Sequence, residues 1–298
     1  MENKQTYLDD KSRDVLDYAD LKANKKNKRW RAPARRRRKG AAVMLMRTYS
    51  EFANYSRTIE RTRSIALVPA LCDSYDHIIF HEATLPSAHK KHILEQIGKP
   101  LNDVIKFMDI DSVFHSRDAS INVDTKKAAR YKCPGNSRTR GFPVSYHAMC
   151  AFWFIDIVEI LSPKYSHFLR IDDDCLIVNT FGTMLHDPAV ELLSAGKHIA
   201  AVPYPGDAEA TVTGLVDFFE ELADDPDHPE RQRFEAPLRN GRLELVSPYT
   251  NVMWLDLEWA RSETVQSVLR AVDETGCILS NRWGDLILYE PKREMMVD

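Results

Sequence analysis

Three consecutive carboxylates, Asp172, Asp173 and Asp174, close the run Tyr-Ser-His-Phe-Leu-Arg-Ile-Asp-Asp-Asp at residues 165–174, and Cys-Leu-Ile-Val follows them. An apolar run that ends in acid reads as a buried strand delivering its carboxylates to the edge of a sheet, where α/β proteins bind their ligands. In an extended chain Asp172 and Asp174 share a face about 6.6 Å apart. At an effective dielectric near 20, two like charges at that distance repel by ~2.5 kcal/mol. A cation between them removes the repulsion. Oxygen-only ligation suits a hard divalent ion, Mn²⁺ or Mg²⁺, shared between one or two carboxylates and the phosphates of a substrate. The plain alternative is a solvated acidic turn after a strand.

Such a strand needs a sheet around it. Apolar runs at residues 41–46, 77–80 and 104–108 predict three strands ahead of it. Between them, residues 50–71 and 86–97 predict helices, the first capped by Ser50. Ser145 caps a further helix over residues 146–161, with Met149, Phe152, Trp153, Ile157, Ile160 and Leu161 on its core face. Beyond the acidic triplet, residues 199–202, 243–246 and 252–257 have strand character. Residues 211–223 and 263–272 read as helices, the latter stopped by Gly276. This alternation predicts an α/β domain over residues 41–298, a mostly parallel sheet flanked by helices on both faces. The polar stretch 115–143 is long for a connection, which marks it as functional or mobile.

With 298 residues, 44% hydrophobic and 29% charged, the chain is expected to be a soluble globular protein. No window approaches a membrane span, and the first residues lack the apolar core of a signal peptide, so the expected location is cytoplasmic. Five widely spaced cysteines, Cys72, Cys133, Cys150, Cys175 and Cys277, fit neither a disulfide framework nor a zinc site. That pattern suits a reducing compartment. Eleven Lys and Arg lie between Lys22 and Lys39 with no acid among them, so the net charge of −3 conceals a body carrying −14. Residues 1–40 hold too few apolar side chains to fold alone and are expected to form a disordered basic arm. Such an arm suits an anionic membrane, a polyanion such as nucleic acid or an import receptor, or is a solvated tail with no fixed role.

Four stretches in a shared order carry a family resemblance: Ser145-Tyr146-His147-Ala148-Met149-Cys150, Arg170-Ile171-Asp172-Asp173-Asp174, Thr250-Asn251 with Asp256-Leu257, and Arg282-Trp283-Gly284-Asp285. Together they resemble the fungal-type α-1,2-mannosyltransferases, glycosyltransferases of family 15 that use nucleotide sugars on a single Rossmann-like GT-A domain. The resemblance implies that Asp172 and Asp174 hold Mn²⁺ on the donor diphosphate, as the family's Glu-Pro-Asp does, and that Asp173 reaches the ribose. It places Arg47 and Thr48, Tyr146 and Arg170 at the donor nucleotide. It implies a nucleotide-diphosphate sugar, GDP-mannose or a UDP-sugar, as donor and a glycan or glycoprotein hydroxyl as acceptor. Two positions depart from the pattern. Met253 stands where the family carries a glutamate associated with catalysis, and Tyr289 stands where it carries a metal-ligating histidine.

Without that glutamate, direct displacement with a base on the acceptor side is the economical mechanism. Asp285, in the Arg-Trp-Gly-Asp turn, is the first candidate base and Asp256 the second. A helix cap or an ion pair with Arg282 is the bland reading of Asp285. Trp283 suits a sugar platform or a core position equally. A phosphatase-like use of Asp-x-Asp places the motif near the start of its domain, and here three strands precede it. The alternative outside enzymology is an inactive protein of this fold that binds sugar or polyanion.

Overall fold

The computed structural model describes residues 40–116, 144–177, 188–204, 214–224, 238–239, 242–243, 247–281 and 283. The basic arm, most of the polar 115–143 stretch and Asp285 lie outside them. The expected α/β architecture is present. A six-stranded sheet has the order β3-β2-β1-β4-β8-β5, with β1 at Gly40–Met46, β2 at Tyr75–His81, β3 at Ile105–Asp109, β4 at His167–Ile171, β5 at Ile199–Tyr204 and β8 at Ser247–Asp256. Strands β1 to β4 pair in parallel. Strand β8 alone runs the other way, wedged between β4 and β5. A separate two-stranded ribbon joins β6, Leu238–Arg239, to β7, Arg242–Leu243.

The central strands read as unbroken apolar runs because both faces are covered. Along β1, Ala41 and Val43 enter one core with Phe168, Met253 and Leu255. Ala42, Met44 and Met46 enter the other with Leu169, Ile171 and Trp254. The first face is covered by helix α5, Val144–Ala151, which passes through a π turn at Phe152–Asp156 into α6, Ile157–Leu161, and by α10, Glu263–Thr275. The second is covered by α1, Ser56–Ile65, α2, Pro69–Ser74, and α3, Ser87–Ile97.

The helix expected over residues 50–71 is two helices and a 3₁₀ turn at Phe52–Tyr55. Pro69 cannot donate a backbone hydrogen bond inside a helix, so it starts a new one at its first position. Gly276 ends α10 as expected, in the left-handed region at φ 69°. Cys277 is disulfide-bonded, whereas Cys72, Cys150 and Cys175 are free. That bond overturns the expectation that all five cysteines are reduced and removes the ground for a reducing compartment. No described helix is long and apolar enough to cross a membrane.

Candidate functional site

The strand order fixes where a ligand can enter. The chain lays β2 and β3 on one side of β1, then returns to place β4 on the other. Connections leaving the carboxyl ends of β1 and β4 therefore part in opposite directions and open a crevice. A cleft of about 230 Å³ occupies that place. Arg47 and Tyr49 line it after β1, Glu82 after β2, Tyr146 and Trp153 from the helix and its π turn, and Asp172 and Asp173 after β4. Of the residues named from sequence, the fold thus gathers Arg47, Tyr146, Asp172 and Asp173 around one space. Thr48 lies beside it, its hydroxyl donating to the Ala83 carbonyl at 3.2 Å and tying the β1 loop to the β2 loop.

Beneath the cleft two guanidinium groups set the electrostatics. Arg170 donates through Nε and Nη2 to the two carboxylate oxygens of Asp172, each at 2.8 Å, a charged two-point pair of high directional strength. Its guanidinium lies over the Trp153 ring, 4.2 Å from the centroid, within cation–π range. Arg61 of α1 is buried and donates to the Ile171 carbonyl at 2.9 Å and the Val43 carbonyl at 3.1 Å. It joins the end of β4 to the middle of β1. Burial pushes its pKa down to about 10, against the pull of Asp172, Cys175 and Asp173, so it stays charged at neutral pH. Arg61 falls on the buried face of its helix with Thr58, Thr62 and Ile65. A charge at core spacing was the signal that sequence reasoning passed over.

The acidic triplet differs from the extended strand expected of it. Strand β4 ends at Ile171. Asp172 still donates its N–H to the Asn251 carbonyl at 2.8 Å, and the Cys175 N–H then closes a turn on the Asp172 carbonyl at 3.1 Å. Alternation therefore stops at Asp172, because consecutive like charges are better solvated in a turn than stacked along a strand. The turn brings the Cys175 thiol beside Asp174, where it donates to Asp174 Oδ1 at 3.5 Å. Burial first, then Asp174, push the Cys175 thiol up to about 11, which makes it an inert neighbour. Burial also pushes the Asp173 carboxyl up, and Asp174 and Asp172 add to the effect while Arg57 opposes it.

This donor set fits a hard divalent ion. It offers only carboxylate oxygens, and its central carboxylate is held above its ordinary value by burial and two like charges that a cation would offset. Among the described residues no cluster of three or more His, Cys, Asp and Glu side chains is arranged for a metal. An ion here would draw on one or two carboxylates and complete its shell with phosphate and water.

Two candidates move away from the cleft. Asp256 lies opposite His167 at the start of β4, whereas the cleft lies past its end at Ile171. It accepts from the Glu258 N–H at 2.9 Å, capping the short helix Leu257–Ala260, and pairs with His198 Nδ1 at 2.9 Å. The antiparallel course of β8 carries Asp256 to the far end of the sheet, so it is a structural carboxylate and no base for the cleft. Trp283 is fully buried against Phe218 and belongs to the core, which excludes the sugar-platform reading. Met253 is buried opposite Arg170 across the β4–β8 ladder. Asp285 and Tyr289 lie outside the described residues.

No protein-family model and no curated protein sequence matches the chain. Solved structures do. Core-mannan synthase A from Aspergillus fumigatus, in its Mn/GDP form, aligns with a TM-score of 0.59 at 16% identity, covering 88% of this chain and 70% of that one. The mannosyltransferase Ktr4p from S. cerevisiae, solved in complex with GDP and in a second structure, gives 0.56 at 18% identity, covering 85% of this chain and 65% of that one. The chain thus spans about two thirds of the length of these proteins. At such identity the likeness is one of fold, a GT-A-like α/β domain, and it agrees with the architecture that the four sequence stretches implied.

Proposed function

We propose that this chain is a metal-dependent glycosyltransferase moving a sugar from a nucleotide-diphosphate sugar to a hydroxyl of a glycan or glycoprotein. GDP-mannose is the first donor to test and UDP-sugars the second. The observation that carries this reading is the cleft at the β1/β4 switch point, where Arg47, Tyr146, Asp172 and Asp173 converge. The fold likeness to two proteins solved with GDP, one of them also with Mn, supports it.

Asp174, with Asp172 beside it, is the ligand pair we assign to Mn²⁺ or Mg²⁺, which when bound supplies positive charge opposite the departing diphosphate. Each Asp172 oxygen keeps a lone pair beyond the one Arg170 engages, and Arg170 holds that carboxylate at a fixed angle. Arg61 ties the end of β4, where the phosphates would sit, to the middle of β1. Tyr146 and Trp153 wall the cleft and reduce water around the reacting bond. Asp173 is assigned to the ribose. Asp285 is the proposed base that takes the acceptor proton, and Met253, a buried thioether, offers no carboxylate for a retaining mechanism. The product should therefore carry the inverted anomeric configuration. The basic arm is assigned to an anionic membrane or polyanion near the acceptor.

The test is turnover of GDP-mannose and a panel of UDP-sugars with Mn²⁺ and with a chelator. Turnover that stops in chelator and returns with Mn²⁺ supports the reading, and undiminished turnover in chelator sinks it. Met253 favours one second reading, a protein that binds a nucleotide sugar without transfer. Tight donor binding with no hydrolysis or transfer in the same assay selects it.

A further inference from the structure

The loop that leaves β1 supplies two residues of the cleft wall, Arg47 and Tyr49, and belongs to no helix or strand. A segment without a ladder of its own needs an outside brace to hold one shape. That brace is Tyr55, the last residue of the 3₁₀ turn and wholly buried. Its hydroxyl lies 3.0 Å from the Tyr49 nitrogen and 3.1 Å from the Tyr49 carbonyl oxygen. It accepts from the first and donates to the second, as a neighbouring strand does for an extended residue. The two rings meet edge to face with centroids 5.4 Å apart.

A third group decides which way that hydroxyl points. His89 of α3 sets Nδ1 3.0 Å from the same oxygen. A phenol gives one proton and accepts at its lone pairs. The Tyr49 N–H can only donate, and the Tyr49 carbonyl can only accept. All three bonds form together only when His89 presents Nδ1–H, because a bare Nδ1 would take the hydroxyl proton and leave the carbonyl without it. The imidazole is itself held, edge-on to the Tyr55 ring at 5.5 Å and against the exposed Phe52 ring at 4.7 Å. Phe52 stacks in turn on His92 at 4.7 Å. Neither Tyr55 nor His89 lines the cleft, so both act through Tyr49.

We infer that Tyr55 and His89 are positioning residues that set the β1 loop before a ligand arrives, and that this setting, without contact to the ligand, is their contribution to binding. A loop that had to be ordered on binding would lower affinity by the cost of ordering it. The inference rests on the nucleotide reading of the cleft and assigns residues outside it.

The experiment compares the full-length wild-type protein with Tyr55→Phe, His89→Leu and His89→Asn. Asn carries an N–H donor at the place of Nδ1 and Leu carries none. Hydrogen exchange at the Tyr49 amide is read without ligand, and affinity by calorimetric titration with GDP and UDP in the presence of Mn²⁺. Tyr55→Phe keeps the ring and removes the hydroxyl. Tyr49 exchange should rise and nucleotide affinity fall, each by roughly 2- to 12-fold, the worth of one hydrogen bond. His89→Leu should move both in the same direction by less, and His89→Asn should return both to wild-type values. Exchange at Val43 within β1 should not change. A Tyr49 amide that exchanges in the wild-type protein as fast as in an unfolded chain overturns the inference and needs no variant to fold. So does wild-type affinity in Tyr55→Phe, a His89→Asn protein no better than His89→Leu, or equal acceleration at Val43, which marks a general loosening of the fold. Each of those results leaves nucleotide binding by the wild-type protein intact, whereas no binding of either nucleotide overturns both readings.

Discussion

At the amino end of the parallel strands the buried carboxylates are closely partnered, whereas at the carboxyl end Asp172 is paired with Arg170 but Asp173 and Glu82 have no such partner. Asp76 accepts from the Tyr165 hydroxyl at 2.9 Å and from Lys106 Nζ at 3.2 Å, with Lys164 at 3.9 Å. Asp256 divides its oxygens between His198 and a helix N-terminus. Across the sheet, Asp173 is crowded by two like charges and Glu82 has a single cation out of bonding range. Both ends belong to the same strands and the same cores, so the contrast lies in the side chains. One end uses its carboxylates to hold the fold, and the other leaves Asp173 and Glu82 without a partner that does so. Strained charge in a cleft is the pattern expected of a functional site.

The contrast predicts opposite outcomes for equivalent substitutions. The largest effect is expected from Asp174→Ala, whose loss should cut Mn²⁺-dependent GDP affinity by more than the ~10- to 100-fold that a residue merely supporting a metal ligand costs. Its melting temperature should stay close to that of the wild-type protein. Asp76→Asn should do the reverse. It removes the negative charge that faces two partly exposed lysines and sets an amide N–H₂ donor in place of one of the two oxygens beside Tyr165, and should lower stability by about 2 kcal/mol, read by denaturant titration, with GDP binding unchanged. Gly40→Ala sharpens the same point, because a Cβ there would overlap His167 and the Tyr75 ring. Overpacking of this kind costs about 1–3 kcal/mol, again without effect on the cleft.

A smaller effect separates the two ends by pH. His81, at the carboxyl end of β2, is buried with Nδ1 on the Ala83 carbonyl at 2.8 Å, and burial holds its pKa below the ordinary value of 6.5. Above pH 6.5 both folded and unfolded chains carry it neutral, and it contributes no pH dependence. As the pH falls below 6.5 the unfolded chain takes the proton first, so stability drops until the folded-state pKa is passed. Denaturation midpoints at pH 7.5 and 5.5 should show this acid-side loss in the wild-type protein and a shallower one in His81→Gln.

How much of this was legible in the sequence depended on whether a feature was local. The positions of the first five strands, the α/β class and the placing of Asp172 to Asp174 just past a buried strand followed from apolar runs and from consecutive acids at a strand end. The turn at Asp173 and Asp174 did not, because the strand's end depends on where its ladder with β8 gives out. Asp256 was misjudged for a related reason. Nothing in residues 247–256 declares that β8 runs antiparallel, and direction alone decides which end of the sheet Asp256 occupies. Glu82 carried a usable signal, a carboxylate directly after a buried parallel strand. Trp153 carried half of one: its core spacing was plain, but the π turn that sets it under Arg170 was not.

The central claim is that the carboxyl end of the sheet, and not the amino end, binds a cation-bridged nucleotide diphosphate. Hydrogen exchange on the protein with and without GDP and Mn²⁺ tests it directly. The account predicts new protection at residues 45–49 and 172–175, lost when chelator replaces Mn²⁺, with exchange at residues 75–77 and 165–168 unchanged. Protection concentrated at the amino-end residues, or the same protection in chelator, would contradict it.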